Sequence, residues 1–145
     1  MPTAGSMPGR CILCGAMVGV RRTDGWHCGV CDWRVGDVPD SDLPPPRIEV
    51  VYYLRYRERI KIGTSANPKQ RLAAIWHEEL LAFERGGRML ERRRHVQFAE
   101  LREGGEWFTA APPLLAHVAD VTAAAGTAAP WDAYARWVSE AYSGR

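Results

Sequence analysis

The chain has 145 residues, 46% of them apolar and 25% charged, with a formal net charge of +2 at pH 7. That is a globular composition, not a disordered one, and it suits one ordinary domain or a small unit joined to one of about 70–100 residues. No run approaches the ~20 apolar residues that a membrane-crossing helix needs, and the opening lacks the apolar core of a signal peptide. A cytoplasmic protein with no membrane partner is expected.

Residues 1–9 are small and rich in Gly and Pro and are expected to be disordered. All four cysteines follow between Cys11 and Cys31. Cys11-Ile-Leu-Cys14 and Cys28-Gly-Val-Cys31 are two C-x₂-C pairs with thirteen residues between them. Thiolates so spaced can fold back and surround one ion tetrahedrally, and in the cytosol clustered thiols bind metal more often than they form disulfides. Gly15 permits the tight turn after the first pair, Asp24-Gly25 is a hairpin signal midway, and Trp26 offers apolar cover. The arrangement resembles a zinc ribbon over residues 11–34, which implies structural Zn²⁺ on Cys11, Cys14, Cys28 and Cys31. Four sulfur ligands leave no open coordination position, so no chemistry is expected there. His27 is the one alternative ligand, but beside Cys28 it reads as a surface residue. A redox role for the two C-x₂-C pairs is the competing reading.

Residues 10–37 therefore read as the ribbon, and residues 38–47, with Pro44-Pro45-Pro46, as a stiff spacer. Beyond the spacer the texture becomes α/β. Ile48 to Tyr56 is β-branched and aromatic, as a strand should be, and Arg59-Ile-Lys-Ile-Gly63 reads as its hairpin partner. Asn67 and Pro68 start a helix, with Leu72, Ile75 and Trp76 at one-face spacing for packing on the sheet. A short strand is expected over 80–84 and a helix from Arg88 to Leu101, ended by Gly104-Gly105. Glu106 to Thr109 is a short extended segment. Pro112-Pro113 opens an Ala-rich helix to Ala125, and a last helix over 130–142 places Trp131, Tyr134, Val138 and Ala141 on one face, read as packing.

Charge is uneven along this chain. From Arg47 to Arg94 twelve Lys/Arg stand against six Asp/Glu, and of the nineteen basic residues only Lys61 and Lys69 are Lys. The planar guanidinium pairs bidentately with phosphate, so this region reads as a phosphate-facing surface, the plainer alternative being a solvated Arg-rich face.

Several features then occur in one order: Val50-Val51-Tyr52, Lys61-Ile62-Gly63, Arg71 ten residues after Lys61, Glu91-Arg-Arg-Arg-His95-Val-Gln-Phe98 and Gly105-Glu-Trp-Phe108. The ordered set resembles the GIY-YIG endonuclease superfamily, in the branch of phage and bacterial proteins related to fungal meiotically up-regulated proteins. The first motif lacks its Gly, and the second has Lys for Tyr. The resemblance implies an α+β fold, with a small three-stranded antiparallel sheet flanked by helices over residues 48–111. Residues 112–145 are expected to pack on that domain as C-terminal helices. It further implies a metal-dependent endonuclease that hydrolyses phosphodiester bonds in duplex DNA, with the ribbon as a targeting module.

In that role Tyr52 would orient a water or pass on its proton. Lys61, among other cations, would be a base or hold the phosphate. Arg71, on the first turns of its helix, would bind phosphate. Glu91 would hold one Mg²⁺ or Mn²⁺. His95, four residues on and on the same helix face, would orient Glu91 or contact phosphate, or else pack beside Phe98. Glu106 reads as an exposed or supporting carboxylate, and Trp107 and Phe108 as core. Tyr53 should point to the opposite side of its strand from Tyr52, and inherits its role if the register is one residue off. The alternative is a non-catalytic nucleic-acid-binding or adaptor protein on a degenerate nuclease fold.

Overall fold

The computed structural model describes residues 3–144. The chain divides into two compact units, one made of Met1–Pro46 with Trp131–Arg145 and the other of Arg47–Pro130. Both are built on antiparallel sheets, and the architecture is α+β.

The first unit holds β1 (Thr3–Ser6), β2 (Val18–Arg22) and β3 (Gly25–Cys28) in sheet order β1-β2-β3. The β2–β3 hairpin turns at Thr23-Asp24, and Gly25, which opens β3, takes φ +117°, a conformation open to glycine and costly for most other residues. The expectation of disorder over residues 1–9 is corrected for the described part: Thr3 to Ser6 pair with Arg21 to Val18, and Met7 is buried against the cysteines. Residues 1 and 2 lie outside the described residues. Small side chains allow this pairing, because Gly5 and Gly19 face each other where the strands meet Trp26 and Met7.

A helix of the same unit, Pro130–Ser143, contributes Ala135 and Tyr142 to the cover over the cysteine cluster, with Tyr142 edge-on to Trp33 at 6.1 Å. The last helix was expected to pack on the larger domain; it belongs instead to the ribbon's unit. Its amphipathic face called for an apolar partner without naming which, and Trp33 supplies one.

In the second unit β4 (Val50–Tyr56) is the centre, paired with β5 (Arg59–Ser65) on one side and β6 (Glu79–Arg85) on the other. β8 (Trp107–Thr109) adds to β5, and β7 (Arg102–Gly104) adds to β8, giving the order β6-β4-β5-β8-β7. The expected three-stranded sheet is thus corrected to five strands. The two extra strands have three residues each, too few for a period-2 pattern to announce them.

The helices of this unit are α1 (Pro68–Ala73), α2 (Arg88–Gln97) and α3 (Pro112–Ala125), with a 3-10 turn at Ala99–Leu101 after α2. Asn67 caps α1 by accepting from the Gln70 N–H, and Pro68 fills its first position. α1 stops at Ala73, where the His77 ring donates to the Ile75 carbonyl at 2.7 Å and holds the chain out of the helix. Ile75 and Trp76 therefore do not continue its packing face, and Trp76 is 80% exposed. α3 ends on Gly126 in the left-handed conformation, φ 77°.

One face of the five-stranded sheet carries Val51, Tyr53, Ile60, Ile62, Ala82 and Phe108, which form a core with Phe98 and with Leu114, Val118 and Val121 of α3. Each such fully buried large side chain stabilises the fold by about 1.5–3 kcal/mol relative to exposure. The strand register sends Tyr52, Leu54, Phe83, Lys61 and Gly63 to the opposite face, toward α1. β8 pairs with β5 only along Arg59–Lys61, so the end of β5 is left for α2, which lies against it. No helix among the described residues is long and apolar enough to cross a membrane.

Candidate functional site

Two clusters of chemically competent side chains stand out, one in each unit. In the first, the sulfur atoms of Cys11, Cys14, Cys28 and Cys31 all lie within 4.8 Å of one another. The two C-x₂-C turns have the same construction: the Gly15 N–H donates to the Cys11 carbonyl at 2.8 Å and the Asp32 N–H to the Cys28 carbonyl at 2.9 Å. Gly15 and Asp32 both adopt positive φ, 80° and 67°, which frees backbone donors to turn inward. Val30 and Cys31 N–H groups duly point at Cys28 Sγ, at 3.4 and 3.5 Å.

All four cysteines are free thiols, with Cys11 3.6 Å from Cys31 and Cys14 3.5 Å from Cys28. Burial pushes the Cys14 thiol up to about 11, and pushes Cys31 up strongly too, with neighbouring thiols adding in both cases. Burial also opposes ionisation of Cys11, but the Cys14 and Leu13 N–H groups outweigh it and draw that thiol down. Four thiolates cannot crowd together without a cation among them, and this cluster is built to hold a metal ion such as zinc. His27 stands outside it. Its Nε2 is engaged with Asp24 Oδ1 at 2.9 Å, and its side chain is 13% exposed, so it is a packed residue and not the surface residue expected.

The second cluster surrounds a pocket of about 440 Å³ lined by Thr64, Arg71, Arg88, Glu91, Arg92, His95 and Glu106. Tyr52 is wholly buried on β4 opposite Gly63, and its hydroxyl has no hydrogen bond of good geometry. Its close electrostatic neighbours are the Arg71 guanidinium and the carboxylates of Glu91 and Glu106. Burial raises the Tyr52 phenol above the ordinary range, and the two carboxylates raise it further against the pull of Arg71. The phenol is therefore a neutral hydrogen-bond donor near pH 7. Arg71, brought in by the short α1, is held more firmly charged by the Tyr52 hydroxyl.

Glu91 reaches the pocket from the first turn of α2. Burial raises its carboxyl, and the adjacent Glu106 carboxylate raises it further, with His95 opposing. His95 Nε2 donates to the Ile62 carbonyl at 2.8 Å and lies 3.6 Å from Glu91 Oε1. Its ring packs edge-on to Phe108 at 4.9 Å, not against Phe98. The Ile62 N–H donates in turn to the Glu106 carbonyl at 2.9 Å, so a single residue of β5 positions both His95 and Glu106.

Lys61 is paired with Glu106 Oε2 at 3.7 Å. Its expected cationic surroundings are thus corrected: an acid stands beside it, together with the Trp107 ring at 5.7 Å. Arg59 lies over the other end of this run, 4.9 Å from the Trp107 ring and 6.0 Å from that of Tyr56. A ladder of alternating cations and rings thus leads along β5 from the hairpin to the pocket.

The structure brings Arg71, Glu91 and His95 together in the pocket lining, with Tyr52 beside Arg71, Glu91 and Glu106; Lys61 is not in that lining and is joined to it through Glu106. Tyr53 faces the other way, where its hydroxyl donates to Glu84 Oε1 at 2.8 Å and accepts from His117 Nε2 at 2.9 Å. Four pocket-lining residues were not among those assigned chemistry from sequence: Thr64, Arg88, Arg92 and Glu106. The signal for Glu106 was its place just before Trp107, which pairs with Lys61 across β5 and β8. No family model matches the chain, and neither a curated protein nor a solved structure matches it significantly.

Proposed function

We propose that the Arg47–Pro130 unit is a metal-dependent endonuclease of GIY-YIG type acting on DNA, and that the four-cysteine unit holds structural Zn²⁺ and serves as its targeting module. The observation that carries the reading is a polar pocket lined by the Arg71 guanidinium and the Glu91 carboxylate, with the buried Tyr52 phenol beside both.

Phosphodiester hydrolysis joins a water oxygen to phosphorus, breaks the bond to the 3′ oxygen and moves the water proton away. Arg71, Arg88 and Arg92 line the pocket and would seat the phosphate through charge-assisted hydrogen bonds. The Tyr52 hydroxyl, close to Arg71 but with no hydrogen bond of good geometry, would orient the water or a phosphate oxygen. Lys61 would act as a charged support and not as a base, since it is already engaged with Glu106. His95, locked by Ile62, would hold Glu91 in place.

The donor set fits Mg²⁺ or Mn²⁺. Hard oxygen ligands suit either ion, and Glu106 Oε2 is buried without a hydrogen bond, which a neighbouring charge would compensate. When bound, such an ion supplies charge neutralisation on the phosphate and on the departing oxygen. Glu91 would hold it.

The test is nicking of supercoiled plasmid with Mg²⁺ or Mn²⁺ by the full chain. Glu91→Ala and Arg71→Ala proteins of equal purity should lose at least about 100-fold in rate, the scale for losing one electrostatic contact to a transition state. Equal rates in all three proteins would refute the assignment. DNA binding without cleavage by the unaltered protein would favour the adaptor reading, which the cation–ring ladder alone also supports.

A further inference from the structure

Glu91 and Glu106 share one pocket, and each has a single basic neighbour at a long distance, His95 3.6 Å from Glu91 and Lys61 3.7 Å from Glu106. Glu91 comes from α2 and Glu106 from the turn before β8, and both line the same pocket. Glu106 Oε2 is shielded from solvent and accepts no hydrogen bond, although the Lys61 ammonium lies 3.7 Å away. Over the same spot stands the Tyr52 hydroxyl, wholly buried and also unpartnered. Gly63 makes room for both. A Cβ there would collide with the Tyr52 hydroxyl and would come within 2.9 Å of Glu106 Oε2.

A fold that buries an oxygen and a hydroxyl without partners loses about 1–3 kcal/mol for each, unless a ligand supplies the missing contact. Two carboxylates that meet in a polar pocket repel, and either a shared proton or a cation relieves them.

We propose that Glu106 is a second protein ligand of the divalent cation, so that Glu91 and Glu106 together form a two-carboxylate seat, with the Tyr52 hydroxyl directed at the water or phosphate oxygen beside it. The proposal rests on the nuclease reading for its biological meaning, but not for its measurement. Lys61 has a matching role here. It occupies Glu106 while the seat is empty and gives way when a cation arrives, so it tunes affinity downward.

The experiment is a Mn²⁺ titration followed by electron paramagnetic resonance, on the full chain with its cysteine cluster already loaded with zinc. Unaltered protein should bind one Mn²⁺ tightly. Glu91→Gln and Glu106→Gln should each weaken binding by about tenfold or more, equal to about 1.4 kcal/mol. Lys61→Met should tighten it several-fold. Glu106 is 35% exposed, so its replacement by the isosteric Gln should leave the protein folded, which a cooperative thermal unfolding transition would show.

Mn²⁺ affinity unchanged in Glu106→Gln, with a loss in Glu91→Gln, would overturn the proposal and leave the nuclease reading standing. Weaker binding in Lys61→Met would also count against it. If both carboxylate variants lose Mn²⁺ while the unaltered protein never nicks DNA, the cation seat stands and the nuclease reading falls.

Discussion

Replacing Glu84 with Gln tests how α2, the helix that carries Glu91 and His95, is fixed to the sheet. Glu84, on β6, accepts from Tyr53 of β4 at 2.8 Å and from Arg94 Nε of α2 at 3.0 Å, with His117 of α3 at 3.8 Å. Burial alone would raise its carboxyl. The nearby His117 ring and the hydrogen bonds from Arg94 and Tyr53 outweigh that and bring it down from 4.5 to about 2. The side chain is only 18% exposed, so solvent screens little of this interaction. The displacement is worth about 3 kcal/mol of stability, to within a factor of two.

Because the folded-state value is depressed, that stability is fully present above pH 4.5 and is lost as the pH falls toward about 2. Glu84→Gln should therefore be about 3 kcal/mol less stable than the unaltered protein at pH 7, and the gap should close between pH 4.5 and 2. Urea denaturation followed by circular dichroism across that range measures it. A gap that stays constant with pH, or that is below about 0.5 kcal/mol at pH 7, a size typical of exposed pairs, would refute the reasoning.

Other substitutions probe the two clusters. Gly63→Ala should push the Tyr52 hydroxyl and Glu106 apart and lower the nicking rate by about tenfold or more, while chemical denaturation shows a loss of about 1–3 kcal/mol. Cys31→Ser removes a wholly buried thiol from the cluster, so it should release zinc to a colorimetric chelator and lower the folded fraction. Glu91 and Arg71 should remain able to support cleavage in whatever folded protein is left. Arg59→Ala takes one cation from the ladder beside Trp107, and should reduce the slope of log affinity for DNA against log salt by about 1.

Much of the larger unit was legible because it is locally encoded. The β-branched run before Tyr56, the Asn67-Pro68 start and the Gly126 stop all act within a few residues, and the elements there begin or end within two residues of expectation. The placement of Tyr52 and Tyr53 on opposite faces follows from strand alternation alone. What was not legible depends on partners distant in sequence. β1 forms only because β2 offers it an edge, and β7 only because β8, itself paired to β5, does. Glu106 looked like an ordinary exposed acid until its backbone carbonyl was tied to the Ile62 N–H. Lys61 meets an acid for the same reason. The last helix showed a face to be covered, but amphipathicity does not say which unit supplies the cover.

The unit that holds the cysteines is assembled from both flanks of the chain, with Arg47–Pro130 inserted between them. On the ribosome, then, Trp33 must wait for Tyr142 until the whole inserted unit has been synthesised. At roughly 5–20 residues per second, that delay is on the order of ten seconds. Through it the three short strands have no covering helix, and capture of an ion by the thiols is the event that can hold them in register. Supply of that ion during translation would then bear on how much of this chain reaches its native form.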